Sequence, residues 1–253
     1  MTNSIIKQES KQYIKGKRKN ALSIVLFVLI FGLIATLLCF GTIFFSELLR
    51  GFGAAVTVAS VAVLVILSLA TVFIYSSASV GEKAWYTGLT ANKSNYKKRL
   101  YFWFKPRNSF RAFKFRFILS AVRTLWAIVF FLPAGIVLWS IYYLSGSGGL
   151  ELYLFISLAA GCVLLTVSGA VFYFITIQRY FLAEYLFSSN PKLTPVTAIR
   201  QSKNLLDGHI FEIVRFKLSF LPWFLSCIFI VPIFYFLPYY KESCCVVAKK
   251  VTL

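Results

Sequence analysis

Acidic residues and histidine are scarce in this 253-residue chain. It has 8 Asp and Glu residues and 1 histidine against 27 Lys and Arg, which gives a formal net charge of +19. Charged residues make up only 14% of the chain, whereas soluble domains carry about 25%. Hydrophobic residues make up 59%, and the mean hydropathy is +0.77. Because a soluble fold of this size could not bury so much apolar surface, the composition predicts an integral membrane protein.

The residues that catalysis requires are equally sparse. His209 has no second histidine with which to build a metal site, and its position directly after Gly208 is typical of a polar turn residue. The sequence has no zinc-binding His-Glu pair, no glycine-rich phosphate loop and no Gly-x-Ser-x-Gly turn. The acids are scattered, and none lies in a hydrophobic run: Glu9, Glu47, Glu82, Glu151, Glu184, Asp207, Glu212 and Glu242. We therefore expect no enzyme activity, no catalytic residue, no cofactor and no metal site.

The five cysteines follow neither a zinc-site spacing nor a paired disulfide framework. Three of them lie inside apolar runs, where cysteine usually acts as a small hydrophobic residue. The five are Cys39, Cys162, Cys227, Cys244 and Cys245.

Several hydrophobic runs are long enough to cross a bilayer, which takes about 20 helical residues for roughly 30 Å of hydrocarbon. The first is too long for the core of a signal peptide, and no small-residue cleavage site follows it. The sequence predicts an all-α transmembrane helical bundle with short amphipathic cytoplasmic helices, forming a single integral membrane domain over 1–253. It predicts about five spans, at 21–45, 53–75, 117–144, 152–177 and 218–240.

Individual residues inside these runs suggest local features. Arg123 is the only charge in any predicted span, and its place near one end predicts that it reaches the interface by snorkelling. Pro133 and Gly135 predict a kink or local unwinding in the third span. Gly161 and Gly169 lie on one face of the fourth, where small residues let a neighbouring helix approach closely.

Along the chain, polar segments rich in Lys and Arg alternate with short connectors that carry one such residue or none. Residues 1–20 carry 6 Lys and Arg, 77–116 carry 10 and 178–217 carry 6. The positive-inside rule then predicts a multi-pass protein of the cell membrane with a cytoplasmic N-terminus. Five spans would place the tail after residue 240 outside.

The charges of the tail favour a different placement. Lys241, Lys249 and Lys250 in the tail mildly favour the cytoplasmic side instead. The last run also contains three prolines, so a re-entrant hairpin is the alternative to the full crossing that we favour.

Residues 77–116 mix basic and aromatic side chains, which single-strand nucleic-acid grooves also use. Since the charges alternate with hydrophobic spans, we interpret this stretch as an interfacial loop that contacts anionic lipids on the cytoplasmic face, and we expect no nucleic-acid partner. Within 178–217, Thr194 and Pro195 predict the start of an amphipathic helix that ends at Asp207 and Gly208.

Three sequence pieces carry a family resemblance. They are Leu-Pro-Ala-Gly-Ile at 132–136; Ala198-Ile199, Ser202 and Leu-Leu-Asp-Gly at 205–208; and Phe-Lys-Leu-Ser-Phe at 216–220 with Trp223 and Leu-Pro-Tyr at 237–239. Over about residues 100–240 the chain resembles a bacterial family of polytopic membrane proteins of unknown function. That family is distantly similar to the membrane domain fused to some glycerophosphodiester phosphodiesterases. The resemblance implies a fold and a location and transfers no catalytic residue.

Two kinds of function fit these features. The first is a non-enzymatic membrane protein that acts through helix packing, lipid contact, or a partner that is another membrane protein or a second copy of the chain. The alternative is a transporter or export-accessory subunit. A polar cavity that reaches the middle of the spans would favour the alternative.

Overall fold

The computed structural model describes residues 3–48, 54–91, 96–146, 151–229 and 231–252, and these residues form helices and turns without a strand. The all-α prediction is confirmed. In chain order the helices are α1 Asn3–Ile14, α2 Arg18–Leu48, α3 Ala54–Thr90, α4 Tyr96–Phe102, α5 Pro106–Gly146, α6 Leu152–Ile177, α7 Ala183–Ser189, α8 Pro195–Leu206, α9 Ile210–Leu218, α10 Leu221–Ser226 and α11 Val231–Thr252.

Four helical segments in the described part of the chain are long and apolar enough to cross a membrane. They are Arg18–Thr42, Val58–Thr90, Pro106–Gly146 and Leu152–Ser189. Their side chains are mostly exposed and apolar, as expected where lipid rather than protein covers a helix. The protein is therefore a multi-pass membrane protein. The first four predicted spans fall on α2, α3, α5 and α6, with residue 53 outside the described residues.

The predicted fifth span, 218–240, does not form one uninterrupted helix, so the described residues contain four such helices rather than five. The run holds the end of α9, a turn, α10, a 3-10 turn at Cys227–Phe229 and part of α11. Pro222 lies in the first turn of α10, where its missing N–H costs nothing. The reason is packing: Phe220, in the turn, is fully buried against Phe216, Phe236 and Tyr239.

The C-terminal tail lies beside the N-terminus. Helix α11 packs against α1, α2 and α3. Lys250 Nζ is 2.7 Å from Glu9 Oε1. The predicted placement of the tail on the side opposite to the N-terminus is wrong, because α11 packs against α1. Residues 242–248 of α11 are all buried in protein. A helix that is buried all round belongs to a core, not to an exposed tail.

Most of the buried core lies at one end of the bundle, which we call the basic end. It consists of α1, α4, α7–α9 and α11 with the adjoining ends of α2, α3 and α5. Two residues show how it packs: the rings of Phe115 in α5 and Phe187 in α7 stack with centroids 4.3 Å apart.

Residues 77–116 belong to this end, and the described ones are mostly helical rather than a loop, with a turn at 103–105 between two helices. They comprise the last turns of α3, all of α4 and the first turns of α5. Residues 92–95 lie outside the described residues. Four of the aromatic residues in the stretch are buried inside the protein: Trp85, Tyr86, Trp103 and Phe115. Three others remain exposed: Tyr101, Phe104 and Phe110.

Each long helix pairs with its neighbour in sequence, α2 with α3 and α5 with α6. The predicted close approach at a small residue is confirmed at Gly169, where an added Cβ would lie 2.7 Å from Phe130 O. At Gly161 an added Cβ would meet nothing within 4 Å. Helix α5 continues through Pro133 and Gly135, so the predicted unwinding does not occur.

The amphipathic helix predicted from Thr194 and Pro195 is confirmed as α8. The Thr194 hydroxyl accepts a hydrogen bond from the Thr197 backbone N–H, and Pro195 is in the first turn. The helix ends at Leu206 with Asp207 as its C-cap, and Gly208 has a φ of +84°, a conformation that glycine adopts without strain.

Candidate functional site

A single carboxylate, Glu184 of α7, gathers three cations from two other helices. Its Oε1 accepts hydrogen bonds from Arg123 Nη2 at 3.0 Å and from Arg116 Nη1 at 3.3 Å, both on α5. Lys83 Nζ of α3 lies 3.8 Å from Oε2. Arg116 also donates through Nη2 to the Tyr75 hydroxyl at 3.0 Å. The Glu184 side chain is only 16% exposed, so these contacts hold α3, α5 and α7 together at the basic end.

Two further lysines come close to this cluster. Lys241 of α11 forms an ion pair with Glu82, whose side chain is buried. Lys217 of α9 donates to the Gln178 amide oxygen and lies over the Phe181 ring, 4.4 Å from its centroid. Neither Gln178 nor Phe181 carries a negative charge. Lys217 is therefore a partly buried cation held by neutral groups.

Most of the side chains just described line a small cavity of about 200 Å³. Four cations line it: Lys83, Arg123, Lys217 and Lys241. Glu184 is the one acid among its lining residues. Arg123 Nε is buried and has no hydrogen-bond acceptor among the described residues.

A second cavity, of about 740 Å³, adjoins the first. Lys83, Glu184 and Lys241 line both cavities, so the two meet at these side chains. From there the larger cavity follows α2 from Val28 to Cys39, where its walls become mainly apolar.

The two cavities together contain more positive than negative charge. Five cations line them, namely Lys83, Arg116, Arg123, Lys217 and Lys241, against the carboxylates Glu82 and Glu184. Burial lowers the pKa of the Lys217 and Lys241 ammonium groups, an effect that Glu184 opposes in Lys217 and Glu82 opposes in Lys241. An anion in the cavity would favour the charged form of both lysines. The arrangement therefore suits the binding of an anion.

Arg123 has a partner that the sequence did not predict, because its guanidinium pairs with Glu184. That it reaches the membrane interface stays a prediction. The sequence analysis did not single out Glu184, Lys83 or Lys217. One usable signal was present, because Arg116 and Arg123 are seven residues apart and so share one face of a helix. Their common partner could not be read from that spacing.

His209 lies away from this cluster, as the sequence led us to expect of a polar turn residue. It precedes α9, and its Nδ1 is 3.2 Å from Glu212 Oε1, with both side chains more than half exposed. Within the described residues no group of three or more His, Cys, Asp or Glu side chains could hold a metal ion. The expected absence of a metal site stays a prediction.

A second buried polar cluster lies where α3 meets α11. Thr90 Oγ1 donates to Glu242 Oε1 at 3.2 Å and lies 3.1 Å from Cys245 Sγ. The Tyr86 hydroxyl and Glu242 Oε2 are buried without a hydrogen-bond partner among the described residues. Burial raises the pKa of Glu242 to about 8, so near neutral pH this carboxyl is largely protonated.

The fold and its cavities define a polytopic helical membrane protein with a cationic cavity at one end of the bundle. The chain belongs to the family described as "Protein of unknown function (DUF975)", whose model matches residues 1–252. The family thus covers the whole chain rather than the part near 100–240 that carried the resemblance. No curated protein and no solved structure matches the chain.

Proposed function

We propose that this is a non-enzymatic protein of the bacterial cell membrane that binds anionic lipids through its basic end, on the cytoplasmic side. One observation carries the proposal: exposed cations and exposed rings occur together where α4 and α5 begin. The cations are Lys97, Lys98, Lys105, Arg107 and Lys114, and the rings are Tyr101, Phe104 and Phe110. Such a mixture suits the headgroup region, where rings are half-solvated and cations meet phosphate.

The distribution of charge along the chain supports the cytoplasmic orientation. Residues 1–20, 77–116 and 178–217 hold most of the Lys and Arg residues, and the described parts of these segments lie at the basic end. Positively charged segments are retained on the cytoplasmic side during insertion. The leaflet on that side is anionic and attracts them.

The geometry of the polar side chains supports a role without catalysis. Glu184 is engaged by three cations, which makes it a poor general base, and the His209–Glu212 pair lies on the surface. The likeness to the membrane domain fused to glycerophosphodiester phosphodiesterases remains part of this proposal. It bears on fold and location alone.

The test is lipid enrichment in nanodiscs assembled from phosphatidylcholine with phosphatidylglycerol as the minor component. We expect discs that contain the protein to retain more phosphatidylglycerol than empty discs. We expect the excess to fall as salt rises, because the Debye length shortens from about 10 Å at 0.1 M to about 3 Å at 1 M. Equal lipid ratios in loaded and empty discs would contradict the proposal.

A triple variant tests whether the exposed cations at the start of α4 and α5 cause the enrichment. Lys97→Gln, Lys98→Gln and Lys105→Gln together should lower the enrichment, since all three side chains are exposed. Arg99 is left intact because its side chain packs against Gly88. The matched control also removes three exposed cations of the basic end, through Lys192→Gln, Arg200→Gln and Lys203→Gln in and before α8. It should lower the enrichment less, because these residues are not among the cations and rings at the start of α4 and α5.

The alternative, a transporter or export-accessory subunit, is favoured by one observation. The larger cavity extends along α2 as far as Cys39, close to the end of the first membrane-length segment, Arg18–Thr42. The test uses a variant with the other four cysteines replaced and a membrane-impermeant thiol reagent. A transport pathway predicts that Cys39 reacts from both sides of the membrane, whereas a lipid-binding cavity predicts reaction from one side at most.

A further inference from the structure

We propose that the two joined cavities form a binding site for one anionic phospholipid. The phosphate would occupy the small cavity among Lys83, Arg123, Lys217 and Lys241, and one acyl chain would lie in the larger cavity along α2. This inference rests on the proposed function, because it names a single saturable site within the protein's contact with anionic lipid.

The charges around the small cavity favour a phosphate there. Four cations line a cavity of about 200 Å³ with Glu184 as the one acid among them. A partly buried cation without a compensating anion is costly. The contacts of the Lys217 ammonium with Gln178 and Phe181 are to neutral groups, and Glu184, which acts on it across the cavity, is already shared by three other cations. Arg123 Nε is buried without an acceptor among the described residues. A phosphate oxygen supplies the missing acceptor and the missing charge.

The shape and polarity of the larger cavity suit an acyl chain. The larger cavity is lined by Val28, Leu29 and Leu33 of α2 and by Val72 of α3, all within candidate spans. From Val28 to Cys39 a helix rises about 16 Å. That is close to half of the roughly 30 Å hydrocarbon core, the depth of one leaflet.

These two parts distinguish a phospholipid from a free phosphate or a soluble phosphate ester. A soluble anion would use the cations but would leave the apolar cavity along α2 without a role. A phospholipid matches both, since its charge and its chain are joined as the two cavities are joined at Lys83, Glu184 and Lys241. Charge complementarity at one end and hydrocarbon at the other therefore favour a lipid.

The experiment is a titration of delipidated full-length protein in mild detergent, followed by native mass spectrometry. We expect phosphatidylglycerol to saturate at one molecule per protein. Phosphatidylcholine with the same chains should bind at least tenfold more weakly, because its headgroup carries no net negative charge. Equal binding of the two lipids would overturn the proposal.

Two variants test the two parts separately. Lys217→Gln removes a cation that forms no ion pair with a carboxylate of the described residues, and it should weaken phosphatidylglycerol binding about tenfold through loss of a charge-assisted hydrogen bond. Thr36→Trp places a large ring in the larger cavity, which Thr36 lines, and should weaken binding similarly. Unchanged binding in either variant would overturn the proposal.

The matched controls are Lys203→Gln, on the exposed face of α8, and Leu37→Trp, on α2 but outside the residues that line the cavity. Both should bind phosphatidylglycerol as the wild type does. Thermal unfolding of all four variants checks that they are folded, and the two test variants act at different ends of the site, so if one of them fails to fold the other still tests the proposal.

Competition by soluble anions identifies the source of the phosphate. Inorganic phosphate and glycerol phosphate should fail to displace the lipid at concentrations comparable to it, and displacement by either would overturn the proposal. The outcome is also separable from that of the proposed function. If nanodiscs show enrichment that depends on Lys97, Lys98 and Lys105 but no lipid saturates at one per protein, only the present inference fails.

Discussion

Arg123 Nη2 of α5 lies 3.0 Å from Glu184 Oε1 of α7, so an arginine within a membrane-length helix is paired inside the protein. The same carboxylate oxygen also contacts Arg116 Nη1 at 3.3 Å. Glu184 thus neutralises charge where three helices converge.

We predict that Glu184→Gln destabilises the protein. The substitution leaves Lys83, Arg116 and Arg123 partly buried without their shared anion, and breaking a buried pair in this way costs about 3 kcal/mol. The measurement is the thermal unfolding midpoint in a single detergent. Glu151→Gln, an exposed acid before α6, is the control and should melt like the wild type. Equal midpoints for Glu184→Gln and wild type would show that the cluster is not stabilising.

The membrane-length helices could be predicted from the sequence because they depend only on local composition. An apolar run of sufficient length forms a helix in lipid, where each backbone N–H and C=O must be satisfied within the segment. The start of α8 could also be predicted, because it depends on two neighbouring residues: Thr194 caps the helix and Pro195 begins it.

The run 218–240 could not be assigned in the same way. Its hydrophobicity suits a bilayer, but it suits an aromatic core equally well, and hydropathy does not separate the two. The deciding contacts are those of Phe220 with Phe236 and Tyr240, in a helix that begins about ten residues later. Such contacts depend on the tertiary fold.

The candidate site could not be predicted from the sequence for a related reason. Lys83, Arg123, Glu184 and Lys217 come from four helices that are distant in sequence. No residue spacing connects them. The sequence predicted where positive charge accumulates, but it did not predict that a carboxylate and two cavities would organise that charge.

We predict that Gly169→Ala destabilises the pairing of α5 and α6. The added Cβ would lie 2.7 Å from the Phe130 carbonyl oxygen. Because that atom is backbone, it cannot move aside cheaply, and such overpacking costs about 1–3 kcal/mol. The thermal unfolding midpoint should fall accordingly.

Gly161→Ala is the matched control on the same helix. An added Cβ there meets nothing within 4 Å, and alanine favours the helix over glycine by up to about 1 kcal/mol. Its midpoint should equal or exceed that of the wild type. A similar fall in both variants would attribute the effect to glycine content rather than to the contact with Phe130.

We predict that Cys244 and Cys245 resist thiol reagents in the folded protein. Both are buried in α11, and burial raises the pKa of both thiols, which disfavours the reactive thiolate. With the other cysteines replaced, a membrane-impermeant maleimide should label neither residue in intact cells and little in lysed native membranes. Labelling should become complete after denaturation. A variant whose one cysteine replaces Lys203, which is exposed on α8, is the control for reagent access in lysed membranes, and labelling of the α11 pair in intact cells would contradict the placement of the tail.

We predict that the stability of the protein falls as pH rises from about 4.5 to about 8, with Glu242 as the cause. Burial raises the pKa of this carboxyl from 4.5 to about 8, while Thr90 and Lys17 oppose the shift. The folded state therefore holds a proton that the unfolded state has already released in this range. The contribution is fully present below the unfolded pKa and is lost as pH rises through the folded one. Glu242→Gln mimics the protonated form and should flatten the dependence of the thermal midpoint on pH between 5 and 8, whereas Glu151→Gln should keep the wild-type slope. If wild type and Glu242→Gln lose stability in parallel across that range, another group titrates and the assignment to Glu242 is wrong.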